Sequence, residues 1–232
     1  MRSSNERRNI MSAFLGHIHY WLYAKIRRVI ERENLIYSKA EEAFGDSVEE
    51  IREQVWQTYG EPLPEVDLAE IIDQSNIHGW LQRQINIAET REAAFIKELL
   101  DLQGDEGKAI VDKAFAEHGG ICGKHALETG KYKSSEASGL YQALNDYLLN
   151  GMPCDQSDII IINGTNKLVW EGEACLQEHN WKRVGVEAKN MKVFYQKWID
   201  GFVSALNSQF GYNQTADTLK GDKVNRHEFS LK

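Results

Sequence analysis

The sequence predicts an α+β protein: a helical N-terminal part followed by a β-β-α-α-β-β four-stranded antiparallel sheet with helices packed on one face. Two observations carry this. As far as about Asn150, apolar residues recur at three- and four-residue steps, the period of a helix face. Beyond it stand "DIIIINGTNKLVWEGEA" and "ADTLKGDKVNRHEFSLK", each a pair of extended runs around a glycine turn.

The elements follow in order. Phe14, Leu15, Ile18, Leu22, Ile26, Val29 and Ile30 define one long amphipathic helix ending near Gly45. Asp46-Ser47 opens a second helix, with Ser47 and Glu50 as a capping box, and it stops at Gly60 before the breaker "GEPLPE". Val66 to Ile87 reads as a short helix, a turn at His78-Gly79 and another helix. "AETREAAFIKELLDLQG" and "GDEGKAIVDKAFAEHGG" give two more, each closed by glycine, and a last helix runs from about Ser135 to Asn150. The stretches Gly45 to Gly60 and Gly104 to Gly119 echo one another, with Ile51 matching Ile110 and Trp56 matching Phe115.

In the C-terminal part the unbroken run Ile159 to Ile162 predicts a strand covered on both faces, and Asn163-Gly164 turns it into a second strand. A short helical stretch around Leu176 to Lys182 and a longer helix from about Asn190 to Phe210 come next. Two strands, "ADTLK" and "VNRHEFSLK", close the chain around Gly221-Asp222. The organisation expected is a helical N-terminal region, 1–97, suited to oligomerisation, and an α+β small-molecule or catalytic domain, 98–232.

Composition narrows the function classes. The 232 residues allow one large domain or two small ones, and 3 prolines leave little room for long linkers. A net charge of -8 speaks against nucleic acid, which needs clustered Lys and Arg; Arg2, Arg7 and Arg8 are too few. The acid-free segment "NIMSAFLGHIHYWLYAKI" imitates a signal peptide, but no small-residue cleavage site follows and Gly16, His17 and His19 interrupt it. It is too short in apolar residues to span a membrane. Three cysteines, Cys122, Cys154 and Cys175, cannot all pair, match no zinc motif, and point to a reduced, cytoplasmic protein. Trp21, Tyr20 and Tyr23 encircle the first helix, which predicts a homo-oligomer.

Several residues are candidates for chemistry. Cys175 falls where a strand ends and a short helix begins, and His179 follows one turn later; helix N–H groups would favour a thiolate and the imidazole would serve as base. The competing reading is a buried small hydrophobe. Asn225, His227, Phe229 and Leu231 share one face of the last strand, so His227 and Asn225 point towards the helices, either into a ligand cavity or to backbone partners. Cys122 and His125 share a helix face beside His118; against a site there, Gly119, Gly120 and Gly123 suggest a close helix crossing in which a cysteine merely fits. His17 and His19 diverge on their helix. No metal motif, no phosphate loop and no cofactor motif is found, so neither a metal nor a cofactor is expected. Phe194, Trp198 and Phe202 form a core stripe; Trp170, Tyr195 and Trp198 would also line a small-molecule cavity, with His125 and Cys122.

The segments "EACLQEHNWKRVGVEAK", the helix with Trp198, the closing "LKGDKVNRHEFSLK" and the upstream "KAIVDKAFAEHGGICGKHAL" resemble the L-2-amino-thiazoline-4-carboxylic acid hydrolase family and, more distantly, vinyl-reductase-type small-molecule-binding domains. The resemblance runs from about Glu98 to Lys232. It departs from the family at His227, where a cysteine is expected, and around Lys189 to Met191, leaving Cys175 as the one family-type thiol. It implies a hydrolase cleaving a C–N bond of a small cyclic or amide-like substrate. Cys175 would be nucleophile or polarising thiol, His179 or His227 the base, and Asn225 a donor to the oxyanion. The alternatives are a non-catalytic small-molecule-binding or sensor protein, and a lyase or isomerase working through histidine.

Overall fold

A computed structural model describes residues 15–155 and 158–232. The basic residues Arg2, Arg7 and Arg8, the apolar position Phe14 and the rest of the signal-like segment ahead of Leu15 lie outside them. The elements are α1 (His17–Phe44), α2 (Ser47–Tyr59), the short α3 (Leu68–Ile71), α4 (Ile77–Glu128), α5 (Ala137–Tyr147), β1 (Ile159–Asn163), β2 (Lys167–Gly172), α6 (Glu178–Val184), α7 (Ala188–Leu206), β3 (Phe210–Ala216) and β4 (Asn225–Leu231). The four strands form one antiparallel sheet in the order β1-β2-β4-β3, so the protein is α+β with a helical N-terminal part.

The first helix ends as expected, at a positive-φ Gly45, and its stripe of Leu22, Ile26, Val29 and Ile30 is buried, although Ile18 is exposed. Tyr20, Trp21 and Tyr23 find partners within the chain: Asp67, Asp146 and the Val66 carbonyl respectively. The Ser47–Glu50 capping box does not form; Ser47 Oγ instead donates to the Phe44 carbonyl at 3.2 Å, because the preceding helix ends only three residues upstream. No turn forms at His78-Gly79. Asn76 accepts a hydrogen bond from Gly79 N–H at 3.0 Å, so both residues lie in the first turn of α4.

In α4 one of the two expected glycine ends holds and the other does not. Gly104 (φ 53°, ψ −128°) breaks the helix, as a glycine end requires. The second half, however, runs through Gly119, Gly120 and Gly123 to Glu128. Those glycines are a contact surface, not a stop. A methyl group at Gly119 would sit 2.0 Å from the Trp198 carbonyl oxygen, one at Gly123 2.2 Å from that of Phe202, and one at Gly201 2.2 Å from that of Ala116. The close crossing suggested by the glycines is therefore present, between α4 and α7. The echo between 45–60 and 104–119 fails at its end for the same reason: Gly60 terminates α2, whereas Gly119 is mid-helix.

Residues 88–96 of α4 are buried on every side. Two of the three ionisable groups in "ETRE", Arg91 and Glu92, therefore pair with charges of α1, and Glu89 meets only the neutral Asn180. Arg91 Nε reaches Glu33 at 2.8 and 2.9 Å, Arg32 forks Glu92 at 2.6 and 2.8 Å, and Asn180 links Glu89 and Thr90 at 2.8 and 3.1 Å. The expected boundary between 97 and 98 falls inside α4, and one core cluster draws on both sides of it, from Ile36 and Phe95 to Phe194 and Phe229.

Two strand assignments change. β3 is Phe210–Ala216 rather than "ADTLK", of which Thr218–Lys220 is a 3-10 turn ahead of Gly221. Moreover, β1 is not covered: as an edge strand it leaves Ile159, Ile160, Ile161 and Ile162 between 44% and 62% exposed. The apolar run marks a buried strand only where packed layers cover both faces of the sheet, and at this edge all four side chains stay open to solvent. Among the described residues no helix is long and apolar enough to cross a membrane.

The glycine crossing makes a measurable expectation. Gly119→Ala should lower unfolding free energy by about 1–3 kcal/mol, as overpacking does. Gly120→Ala, whose methyl meets nothing nearer than 4.0 Å, should be neutral or raise it by up to ~1 kcal/mol through helix propensity. Urea unfolding of the two variants decides; equal effects would contradict the crossing.

Candidate small-molecule site

The inner face of the sheet is set by register. Trp170, His227 and Gln214 are cross-strand partners; Leu168, Phe229 and Tyr212 form the row on one side, and Gly172 faces Asn225 on the other. The first of these flanking rows is filled by side chains. Gly172 contributes none, so a hollow opens beside Asn225 and His227. The facing wall comes from two helices at matching spacing: Tyr141, Leu144, Asn145 and Leu148 from the α5 segment, and Lys192, Tyr195, Gln196 and Ile199 from α7. Ala174, Cys175 and Trp181, from the connection after β2 and from α6, complete the enclosure. Its volume is about 110 Å³, on the scale of the ~150 Å³ cavity known to hold benzene.

The hollow is aromatic with a few fixed polar groups. Trp170 stacks on His227 (centroids 5.2 Å, 21°) and packs against Tyr141 at 5.2 Å and Phe229 at 4.8 Å. His227 Nδ1 shares a hydrogen bond of 2.8 Å with the Tyr212 hydroxyl. Burial, assisted by the Lys192 charge, lowers the His227 pKa to about 4, so its ring is neutral. Lys192 Nζ donates to Asp217 and, at 2.8 Å, to Asn225 Oδ1. Burial opposes ionisation of Asp217, but the hydrogen bonds from Lys192 and the Leu219 N–H outweigh it and hold the carboxyl below its usual range. Tyr195 is positioned from α1, its oxygen accepting from Arg32 Nη2 at 3.1 Å. The Asn225 Nδ2 and Trp181 Nε1 donors, on residues 5% and 2% exposed, find no acceptor among the described residues.

Of the expected site residues, Cys175, His227, Asn225, Trp170 and Tyr195 line this one hollow. His179 does not. Its Nδ1 lies 2.7 Å from the Leu176 carbonyl and its Nε2 3.4 Å from Asn86, in a separate cleft beside Glu89. The cause is helical geometry: α6 begins only at Glu178, so Cys175 and His179 are not one turn apart on a common helix. Cys175 donates to Gln177 Oε1 at 3.3 Å, and burial pushes its thiol up to about 11 despite nearby Lys192, which favours the protonated form.

Cys122, His125 and Trp198 belong to the helix layer. Trp198 Nε1 donates to His118 Nδ1 at 2.8 Å, Cys122 Sγ lies 3.8 Å from the same ring, and burial raises that thiol to about 12. His125 bonds the Tyr147 hydroxyl. His17 and His19 stay apart from the hollow, His19 Nδ1 accepting from Gly16 N–H at 3.1 Å at the start of α1. All three cysteines are free, and among the described residues no cluster of three His, Cys, Asp or Glu is arranged to hold a metal ion.

Sequence reasoning missed Lys192, Tyr141, Tyr212 and Asp158, all of which line the hollow. One signal was available: Lys192 interrupts the apolar stripe of α7, three and seven residues before Tyr195 and Ile199. No family model, curated protein or solved structure matches the chain.

The neutral imidazole has a thermodynamic consequence. With a folded pKa near 4 against 6.5 ordinarily, His227 contributes stability above pH 6.5 that is lost as pH falls towards 4. His227→Gln should remove part of that acid-side loss, on the order of 3 kcal/mol at most. Urea midpoints between pH 7 and pH 4 for both proteins measure it; parallel curves would refute a buried neutral ring.

Proposed function

We propose that the hollow binds a small, largely planar organic molecule carrying hydrogen-bond acceptors, and that the chain is a small-molecule-binding protein. The observation that carries this reading is the pair of unmet N–H donors, Asn225 Nδ2 and Trp181 Nε1, on residues walling an aromatic hollow. A buried donor without a partner costs about 1–3 kcal/mol, which an acceptor on a ligand would recover. Aromatic walls with a few fixed polar groups are the usual chemistry of such sites. The free state of all three cysteines supports a reducing compartment, the cytoplasm.

A second reading, hydrolysis of a C–N bond in a small cyclic substrate, is favoured by one observation: Cys175 and His227 line the same hollow. It requires Cys175 to give up a proton that burial holds on the sulfur, and His227 to accept one that burial disfavours.

Benzamide and benzoate, screened by tryptophan fluorescence and thermal shift, should include binders that quench Trp170 and Trp181. Ala174→Phe, at an exposed position on the cavity wall, should weaken binding about tenfold or more, ~1.4 kcal/mol, without lowering the apo melting temperature. Binding unchanged by that variant would place the ligand elsewhere. For the second reading, Cys175→Ala should abolish turnover of a small cyclic amidine while leaving binding intact. Turnover that survives would exclude the thiol as nucleophile.

A further inference from the structure

Beside the aromatic hollow lies a second one of about 270 Å³, which shares Tyr141, Asn145, Asn150 and Asp158 with it and is completed by Trp21 and Lys25 of α1. Lys25 is 2% exposed, its Nζ 3.6 Å from the centroid of the Trp21 ring. The other buried cations of the described chain, Arg32, Arg91 and Lys192, each hold a carboxylate. Lys25 holds none and makes no hydrogen bond among the described residues; Asp146 and Asp158 act on it only through space. A desolvated amine left without a counter-ion is costly as a cation and reactive as a neutral nucleophile. Burial brings Lys25 down to about 7, against the pull of both carboxylates, so much of it is neutral near pH 7. Burial likewise raises Asp158 to about 6, against the pull of its hydrogen bonds from Asn150 (3.2 Å) and Tyr141 (3.5 Å).

We propose that Lys25 is a carbonyl-capturing amine: an aldehyde or ketone entering this hollow becomes bound to Nζ as an imine. The Nζ lone pair attacks the carbonyl carbon and the C=O π bond opens, giving a carbinolamine. Loss of its hydroxyl with a proton releases one water, and the second N–H proton returns to solvent or to a base as the C=N bond forms. Asp158, on the wall of the same hollow, is the group that protonates the departing hydroxyl and takes up the proton shed by nitrogen. The capture needs no ligand in the aromatic hollow, so it stands or falls separately from the function proposed above.

The full chain, incubated at pH 7 with acetaldehyde or benzaldehyde and sodium cyanoborohydride, would be digested and mapped by mass spectrometry. Reductive alkylation at Lys25 should be at least about tenfold faster than at the exposed Lys131, Lys133 and Lys189. Lys25→Arg, which keeps a cation but cannot form an imine, should lose that fast phase and keep the slow surface labelling. Labelling of Lys25 no faster than at the three surface lysines overturns the proposal. The wild-type map decides this alone if the arginine variant does not fold.

Discussion

α4 and α7 meet with their backbones nearly touching, and the rest of the C-terminal structure is built on that meeting. Three glycines, Gly119, Gly123 and Gly201, remove the side chains that would otherwise hold the helices apart. At that separation Trp198 reaches His118, and Phe194, Trp198 and Phe202 become fully buried. The opposite flank of α7 is then at a fixed height under the sheet, where Lys192, Tyr195 and Ile199 form one wall of the hollow. Close packing transmits such a constraint because interiors have little slack.

The second organising feature is electrostatic. Four consecutive residues of α4, Glu89 to Glu92, are buried, and they are partnered from two directions: α1 supplies Arg32 and Glu33 to Glu92 and Arg91, and α6 supplies Asn180 to Glu89 and Thr90. Removing one partner of such a pair strands a charge in the interior, so these contacts enforce a single arrangement of α1, α4 and α6 more than they add stability. Arg32 also anchors Tyr195, which ties the N-terminal helix to the candidate site. Glu89 is less completely met: with Oε1 unpartnered and burial outweighing the Asn180 hydrogen bond, its carboxyl rises to about 8.

The two hollows differ in chemistry although they share a wall. One is aromatic, with a neutral imidazole, a protonated thiol and two unmet donors. The other sets an amine with no carboxylate partner among the described residues against a carboxyl. Asp158 belongs to both, just ahead of an edge strand whose isoleucines face outwards. The polar half of this region is thus assembled from α5 and the approach to β1, which are neighbours in the chain, and from α1, which is remote from both.

Local physics sufficed for much of the fold. Helix periods, the glycine ends at Gly45, Gly60 and Gly104, the first hairpin, the strand order in sequence and the inward face of Asn225, His227 and Phe229 all follow from residues within a few positions of one another. So does the core stripe of α7, and with it the suggestion that the glycines of α4 mark a crossing. Tertiary structure decided what depends on neighbours distant in sequence. It made Gly119 and Gly123 a contact instead of an end, left Ile159 to Ile162 exposed at a sheet edge, and buried "ETRE" in paired charges where a helix surface would be expected. It also joined Cys175 to His227 while sending His179 to another cleft. A side chain's type and spacing state which face it can share; whether that face meets solvent, a helix or a cavity is fixed only when the remote element arrives to cover it.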